Sequence, residues 1–163
     1  MKDYSVLERN LGYSFQDKKL LAHALTHSSY ASEHDLAYSE NNERLEFIGD
    51  AYLDAIIGNK LYEVMPNQPE WVLSKTRANI VCERSLATIA RNIGLGDFLF
   101  LGNGEEMYGG REKDSILADA VEAIIGAIIR ESGYDCADRV VLKLFEENIL
   151  LALQGKLYHD YKT

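Results

Sequence analysis

The chain has 163 residues, of which 47% are hydrophobic, and it carries a formal net charge of −9. This size and apolar content suit one globular domain with its own core and exclude a mainly disordered protein. No apolar run approaches the roughly 18 residues that a membrane-spanning helix needs. The acidic balance argues against a generic nucleic-acid binder, which usually has an excess of basic residues.

The first half of the chain contains a long helical pattern. A helix is predicted over residues 42–65, because apolar residues recur near the 3.6-residue period at Leu45, Ile48, Tyr52, Ile56 and Leu61. Asn41 or Asn42 is expected to cap its start. Pro66 is expected to end it, since proline cannot continue a helix without losing a hydrogen bond.

The second half of the chain is predicted to be helical around one glycine-rich loop. Two helices are predicted over 70–80 and 83–93, and residues 94–110 are predicted to be mostly loop because of their Asn-Gly and Gly-Gly pairs. A buried helix is predicted over 115–130 from its apolar, alanine-rich composition, and an amphipathic helix over 138–153. Because no segment alternates as a strand does, we predict a single all-α domain.

Three acidic residues share one face of the long helix. Glu43, Glu46 and Asp50 stand at positions i, i+3 and i+7, so their carboxylates lie along one stripe. The apolar neighbours Leu45 and Phe47 indicate that much of this helix is buried. Buried carboxylates without partners are costly, so the stripe favours bound cations. A solvated acidic face is the alternative that these residues leave open.

A second acidic pair, Asp119 and Glu122, lies in the helix predicted to be buried. Its alternative is two acids at a helix edge that pair with Arg or Lys. If the two acidic groups converge, they form an oxygen-only site that suits Mg²⁺ or Mn²⁺ rather than Zn²⁺. Such ions activate water and stabilise the charge of a phosphoryl transition state. To this point the residues indicate a metal site without indicating a substrate.

Other chemical motifs are weak. His27 has two serines beside it but no nucleophile motif around it, and we interpret it as a structural histidine. Glu46 and Glu122 lack a histidine three residues later, which argues against a di-iron bundle. Cys82 and Cys136 have no metal-type spacing and are interpreted as free thiols in a reducing, cytoplasmic setting.

Four ordered stretches resemble the ribonuclease III family. Residues 42–50 resemble its signature Asn-Glu-Arg-Leu-Glu-Phe-Leu-Gly-Asp, with Ile48 as the one change. Residues 25–30 resemble its Leu-Thr-His-Arg-Ser-Tyr, with serine in place of arginine. Residues 73–78 and 115–122 resemble its Leu-Ser-x-x-Arg-Ala and Ser-Ile-Leu-Ala-Asp-x-x-Glu motifs. The resemblance runs in order from about Leu7 to Phe145.

The resemblance implies an all-α homodimeric endoribonuclease that acts in RNA processing, including that of ribosomal RNA. Such an enzyme hydrolyses both strands of double-stranded RNA with Mg²⁺ or Mn²⁺ and leaves 5′-phosphate and 3′-hydroxyl ends with short 3′ overhangs. Four acids are implied as metal ligands, the first two of them also as catalytic residues: Asp50, Glu122, Glu46 and Asp119. Glu43 and Glu70 are implied as accessory acids, and Phe47 as the aromatic residue that packs into the partner subunit.

The resemblance also implies domain boundaries. Residues 1–155 are expected to form the endonuclease domain, and residues 156–163 the start of a linker to a separate double-stranded-RNA-binding domain. That module would account for the acidic charge of this chain. Two alternatives come from other classes: a catalytically silent, dimeric RNA-binding domain, and a helical interaction domain without an RNA role. Assays of RNA-duplex binding and of metal-dependent cleavage, run side by side, separate the three.

Overall fold

The computed structural model describes residues 2–157, which fold into α-helices joined by short turns. Within these residues the helices are, in chain order, α1 (Ser5–Leu11), α2 (Lys18–Ala24), α3 (Ser28–Glu33), α4 (Glu43–Val64), α5 (Glu70–Val81), α6 (Glu83–Asn92), α7 (Asn103–Met107), α8 (Asp114–Leu144) and α9 (Glu146–Leu153). The described residues contain no strand beyond an isolated bridge between Thr26 and Phe100. The predicted all-α architecture is therefore confirmed. Of the expected linker, residues 158–163 lie outside the described part.

The long helix α4 begins at Glu43, directly after the two asparagines that predicted its start. The Asn41 side-chain oxygen accepts a hydrogen bond from the Glu43 amide at 2.9 Å, so Asn41 supplies the cap. Asn42 instead donates from its side-chain nitrogen to the Ala24 carbonyl at 3.0 Å. One asparagine thus caps α4, and the next ties its start to the end of α2. The helix ends at Val64, before Pro66.

The first half of α8 forms the centre of the core. Almost every side chain from Ile116 to Ile128 is buried, and α4, α6 and α2 pack around it. The alanine-rich composition that predicted a buried helix is explained by this central position, because small side chains let three neighbouring helices approach. Among residues 2–157, none of the helices combines the length and the hydropathy that a membrane span requires.

Two glycines allow α4 and α8 to cross at close range. A Cβ atom added at Gly49 would lie 1.7 Å from the Glu122 carbonyl oxygen. A Cβ atom added at Gly126 would lie 2.1 Å from the Leu45 carbonyl oxygen. Any larger residue at either position would force the two backbones apart. This crossing brings the acidic stripe of α4 beside the acidic pair of α8.

Three predicted segments differ from the structure by more than a residue or two at their ends. α8 runs past Arg130 to Leu144, and it is broken at Gly133, whose φ of 85° and ψ of −179° suit glycine alone. The predicted helix over 138–153 is divided at Phe145, which ends α8 before α9 begins. Residues 94–110 were predicted to be mostly loop, yet they include α7 and a 3₁₀ turn. An apolar face can continue across such breaks, so its periodicity does not reveal them.

Candidate metal centre

A cleft of about 430 Å³ lies where α4 crosses the first half of α8. Five acids line it: Glu43, Glu46, Asp50, Asp119 and Glu122. The first three come from the stripe on α4, and the last two come from the pair on α8. The two acidic groups that the sequence left on separate helices therefore meet in one cleft.

Three of these acids form a compact cluster. Glu46, Asp119 and Glu122 each offer a carboxylate oxygen, and these oxygens all lie within 4.8 Å of one another. Glu122 is 9% exposed, so its carboxyl group lies at the bottom of the cleft. Asp50 is exposed and shares a hydrogen bond with Glu122, which extends the cluster toward solvent. The arrangement is a set of oxygen donors open on one side.

Burial and mutual repulsion keep protons on this cluster. Burial, followed by the hydrogen bond and charge of Asp50, raises the pKa of Glu122 to about 9. Burial, followed by the charge of Asp119, raises the pKa of Glu46 to about 7. Burial also raises the pKa of Asp119 above its ordinary value. A divalent cation between these oxygens would remove the repulsion and displace the protons.

Among the described residues, no basic side chain is found paired with the acids of the cluster. No Lys or Arg is among the residues that line the cleft. The salt bridges found within residues 2–157 use other acids, namely Glu8, Asp114, Glu106 and Glu105. The ion pairs described among residues 2–157 thus leave out Asp119 and Glu122, which argues against the alternative in which these two acids pair with Arg or Lys. The solvated-face alternative concerned the stripe on α4, where Glu46 is partly buried while Glu43 and Asp50 are exposed, so it stays open for the two exposed acids.

The remaining predicted site residues lie farther from the cluster. Glu43 is exposed at the rim of the cleft, where its carboxylate accepts a hydrogen bond from the Tyr38 hydroxyl. Glu70 begins α5, accepts a hydrogen bond from the Ser74 hydroxyl at 2.5 Å, and does not line the cleft. Phe47 lines the rim and is 76% exposed. The accessory role of Glu70 stays a prediction.

Four further residues line the cleft that the sequence pattern does not place there: His27, Ser28, Asn42 and Ile116. From the sequence, His27 is interpreted as structural and Asn42 as a helix cap. The signal that points to the first two is their position within residues 25–30, the second stretch that resembles the ribonuclease III family. The resemblance of this stretch does not by itself say what the two residues do. Only the fold, which places them in the same cleft as the acids, points to a shared site.

Comparison with known proteins supports the resemblance over most of the chain. The profile of the Ribonuclease-III-like family matches residues 17–149. The chain belongs to the ribonuclease III family. A relative, Ribonuclease 3 of Caldanaerobacter subterraneus subsp. tengcongensis, is 51% identical over 157 residues, which cover 96% of this chain and 68% of that protein. Ribonuclease 3 of Campylobacter jejuni is 49% identical over 163 residues, which cover all of this chain and 70% of that protein.

Solved structures agree with this ribonuclease III assignment. The nuclease domain of ribonuclease III from Campylobacter jejuni, solved at 2.2 Å, matches with a TM-score of 0.83 and 49% identity. The match covers 91% of this chain and 97% of that one. A second structure of that nuclease domain, with structural flexibility in a region involved in dimer formation, matches with a TM-score of 0.84 and 48% identity over 91% of this chain and 99% of that one. The all-α nuclease-domain fold expected from the resemblance is confirmed.

Proposed function

We propose that this chain is the nuclease domain of an endoribonuclease that hydrolyses both strands of double-stranded RNA in a metal-dependent reaction. The observation that carries the proposal is the cluster of Glu46, Asp119 and Glu122, with oxygens within 4.8 Å of one another, in a chain of the ribonuclease III family. The relatives named Ribonuclease 3 support the ribonuclease activity. Residues 1–155 are proposed as the endonuclease domain.

The donor set of the cleft fits Mg²⁺, with Mn²⁺ as a substitute, because carboxylate oxygens are the ligands that these ions prefer. The proposed ligands are Glu46, Asp50, Asp119 and Glu122. Mg²⁺ bound there would lower the pKa of water and offset the negative charge of the phosphate. Without a cation, the acids of the cleft would repel RNA, and the protons that they hold would have to leave before a cation binds.

The proposed reaction is attack of water on the phosphorus atom. Asp50 and Glu122, which share a hydrogen bond, are proposed to hold the attacking water opposite the leaving oxygen. As the water oxygen bonds to phosphorus and gives up a proton, the bond from phosphorus to the 3′ oxygen breaks and that oxygen takes up a proton. The products are a 5′-phosphate and a 3′-hydroxyl. Glu43 and Glu70 are proposed as accessory acids near the RNA backbone. Glu43 lies at the rim of the same cleft, which supports its inclusion.

A cleavage assay tests the proposal. Wild-type protein is expected to cut an end-labelled RNA duplex with Mg²⁺, to stop when EDTA is added, and to leave the single strand of the same sequence intact. Glu122→Gln is expected to lower cleavage about a thousandfold, because it removes one charged metal ligand and with it several kcal/mol of transition-state stabilisation. Its far-UV circular dichroism spectrum should stay unchanged. Glu63→Gln, an equal change on the exposed part of α4, is the control and is expected to cut normally. Normal turnover by Glu122→Gln would refute the site.

The proposed functional unit is a homodimer. Phe47 is 76% exposed on α4, beside a cavity of about 740 Å³ whose walls include Leu45, Ile48 and Arg130. An exposed aromatic ring beside an open cavity is self-complementary: in a two-fold dimer each ring can fill the partner's cavity. The Campylobacter jejuni nuclease domain with a region involved in dimer formation supports such an assembly.

Replacement of Phe47 tests the dimer. Phe47→Ala is expected to weaken association by about 3–5 kcal/mol for each ring that the partner buries, because it leaves a cavity. Tyr62→Ala is the matched control, since Tyr62 is a similarly exposed aromatic residue, at 73%, on the same helix. Sedimentation equilibrium measures both dissociation constants. Equal values for the two variants would contradict the assigned role of Phe47.

A further inference from the structure

His27 is a hydrogen-bond donor in a cleft lined mainly by acceptors. Besides the five acids, the polar residues that line the cleft are His27, Ser28 and Asn42. Asn42 uses its side-chain nitrogen on the Ala24 carbonyl, and no Lys or Arg lines the cleft. An RNA phosphate in this cleft needs donors for its non-bridging oxygens as well as cations. Among the lining residues, His27 carries the longest side chain that can supply one.

The backbone around His27 is held by neighbouring segments. Its amide donates to the Phe100 carbonyl at 3.0 Å, and the Phe100 amide donates to the Leu25 carbonyl at 2.9 Å. On the other side, the Asn42 amide donates to the Thr26 carbonyl at 2.9 Å. These bonds fix the segment between α2 and α3 against the start of α4. The position of His27 relative to the acids is therefore set by the fold.

The ring of His27 is oriented by a short chain of hydrogen bonds. The Gly102 amide donates to the Ser29 hydroxyl oxygen at 2.9 Å, and that hydroxyl lies 2.8 Å from Nδ1 of His27. The Ser29 amide also donates to Nδ1, at 3.1 Å, which caps α3. Because Nδ1 accepts, the proton of the neutral ring is on Nε2.

The neutral form of His27 is favoured by its surroundings. The ring is partly buried, and this burial lowers the pKa of His27, although the charges of Glu105, Asp119 and Glu43 oppose the shift. The ring therefore offers an uncharged N–H group beside the acids. An uncharged donor is held less strongly by the carboxylates than an imidazolium would be, so it exchanges more readily to another acceptor.

We propose that His27 contacts the substrate, with its Nε2–H group donating to a non-bridging oxygen of the scissile phosphate. This inference rests on the proposed nuclease function. The proposal goes beyond the purely structural interpretation of His27. Only Nδ1 takes part in the cap of α3, and Nε2 does not. The ring thus performs two tasks with its two nitrogen atoms.

A substitution that keeps the cap and removes the donor separates the two tasks. His27→Asn retains a side-chain acceptor for the Ser29 amide, since asparagine is among the preferred capping residues, but its amide is too short to reach the position of Nε2. We expect an unchanged melting temperature and a kcat/KM for duplex cleavage lowered about tenfold to hundredfold, the range for a hydrogen bond to a charged group. His34→Asn, at the other end of α3, is the control and is expected to cut normally.

The salt dependence of RNA binding tests whether the donor is uncharged. A phosphate contact from an uncharged donor releases no counterion when RNA binds. The slope of log Kd against log salt should therefore be the same for His27→Asn and the wild type. A slope that falls by about one would mean that His27 acts as a cation, and the proposal would be wrong. Cleavage by His27→Asn at the wild-type rate would also overturn it.

A measurement that leaves His27 in place guards against misfolding of the variant. Histidine-selective ¹⁵N NMR of Glu122→Gln is recorded while an RNA duplex is added until anisotropy of the labelled duplex indicates complete binding. We expect the Nε2–H resonance of His27 to shift and Nδ1 to remain an acceptor. An unshifted Nε2–H resonance would refute the contact. If the wild type does not cut duplex RNA at all, the proposed function fails instead, so the two failures are distinguishable.

Discussion

At the scale of single residues, Glu122 makes the stability of the metal-free domain depend on pH. Its folded pKa of about 9 lies well above the ordinary value of 4.5. A carboxyl group of this kind stabilises the fold fully below about pH 4.5, where it is protonated in both states, and this contribution is lost as the pH rises through about 9. Glu46, whose pKa is raised to about 7, acts in the same direction.

We therefore expect the free energy of unfolding in EDTA to fall between about pH 5 and pH 9. Glu122→Gln cannot ionise, so it should match the wild type near pH 5 and be more stable near pH 9. Urea unfolding at a series of pH values measures both curves, with Glu63→Gln as the control. Parallel curves for Glu122→Gln and the wild type would contradict the burial of an ionising Glu122.

At the scale of helices, the crossing of α4 and α8 creates the site. Gly49→Ala adds a methyl group whose carbon would lie 1.7 Å from the Glu122 carbonyl oxygen, so the helices must separate. We expect the free energy of unfolding to drop by about 3 kcal/mol, the upper part of the range for overpacking. Cleavage should fall as well, because the acids of the two helices move apart.

Gly104→Ala is the matched control for this substitution. Gly104 lies in α7 and has no atom within 4 Å of an added Cβ, so alanine there should be neutral or stabilise by up to about 1 kcal/mol. Urea unfolding and duplex cleavage are measured for both variants. Wild-type stability in Gly49→Ala would mean that the helices do not approach as closely as described.

At the scale of the whole molecule, residues 2–157 contain one described carboxylate cluster, so the proposed cutting of both strands of a duplex requires two chains. A two-fold dimer would present the two clefts to opposite strands. Mixed dimers with one wild-type and one Asp50→Asn subunit are expected to cut one strand only. Differently tagged subunits allow their purification, and duplexes labelled on each strand in turn report the cuts. Double cuts by a verified mixed dimer would contradict the two-cleft arrangement.

The sequence by itself determined the helical class, the acidic stripe on α4 and the acidic pair on α8. These features depend on residues close in the chain: apolar spacing of 3.6 residues predicts a helix, and acids three or four residues apart must share its face. The same local reasoning located the start of α4 at its asparagines and its end before Pro66. The resemblance to the ribonuclease III family added the expectation that the acids of both helices belong to one site.

Only the tertiary structure decided how the acids of α4, the acids of α8 and His27 are placed relative to one another. The distance between the acids of α4 and those of α8 depends on the backbone contacts at Gly49 and Gly126, which join residues more than 70 positions apart. The raised pKa of Glu122 follows from its burial at that crossing. The orientation of His27 depends on Gly102, which is equally remote in the chain. Close approach, burial and hydrogen-bond direction are properties of the packed chain, so no local pattern encodes them.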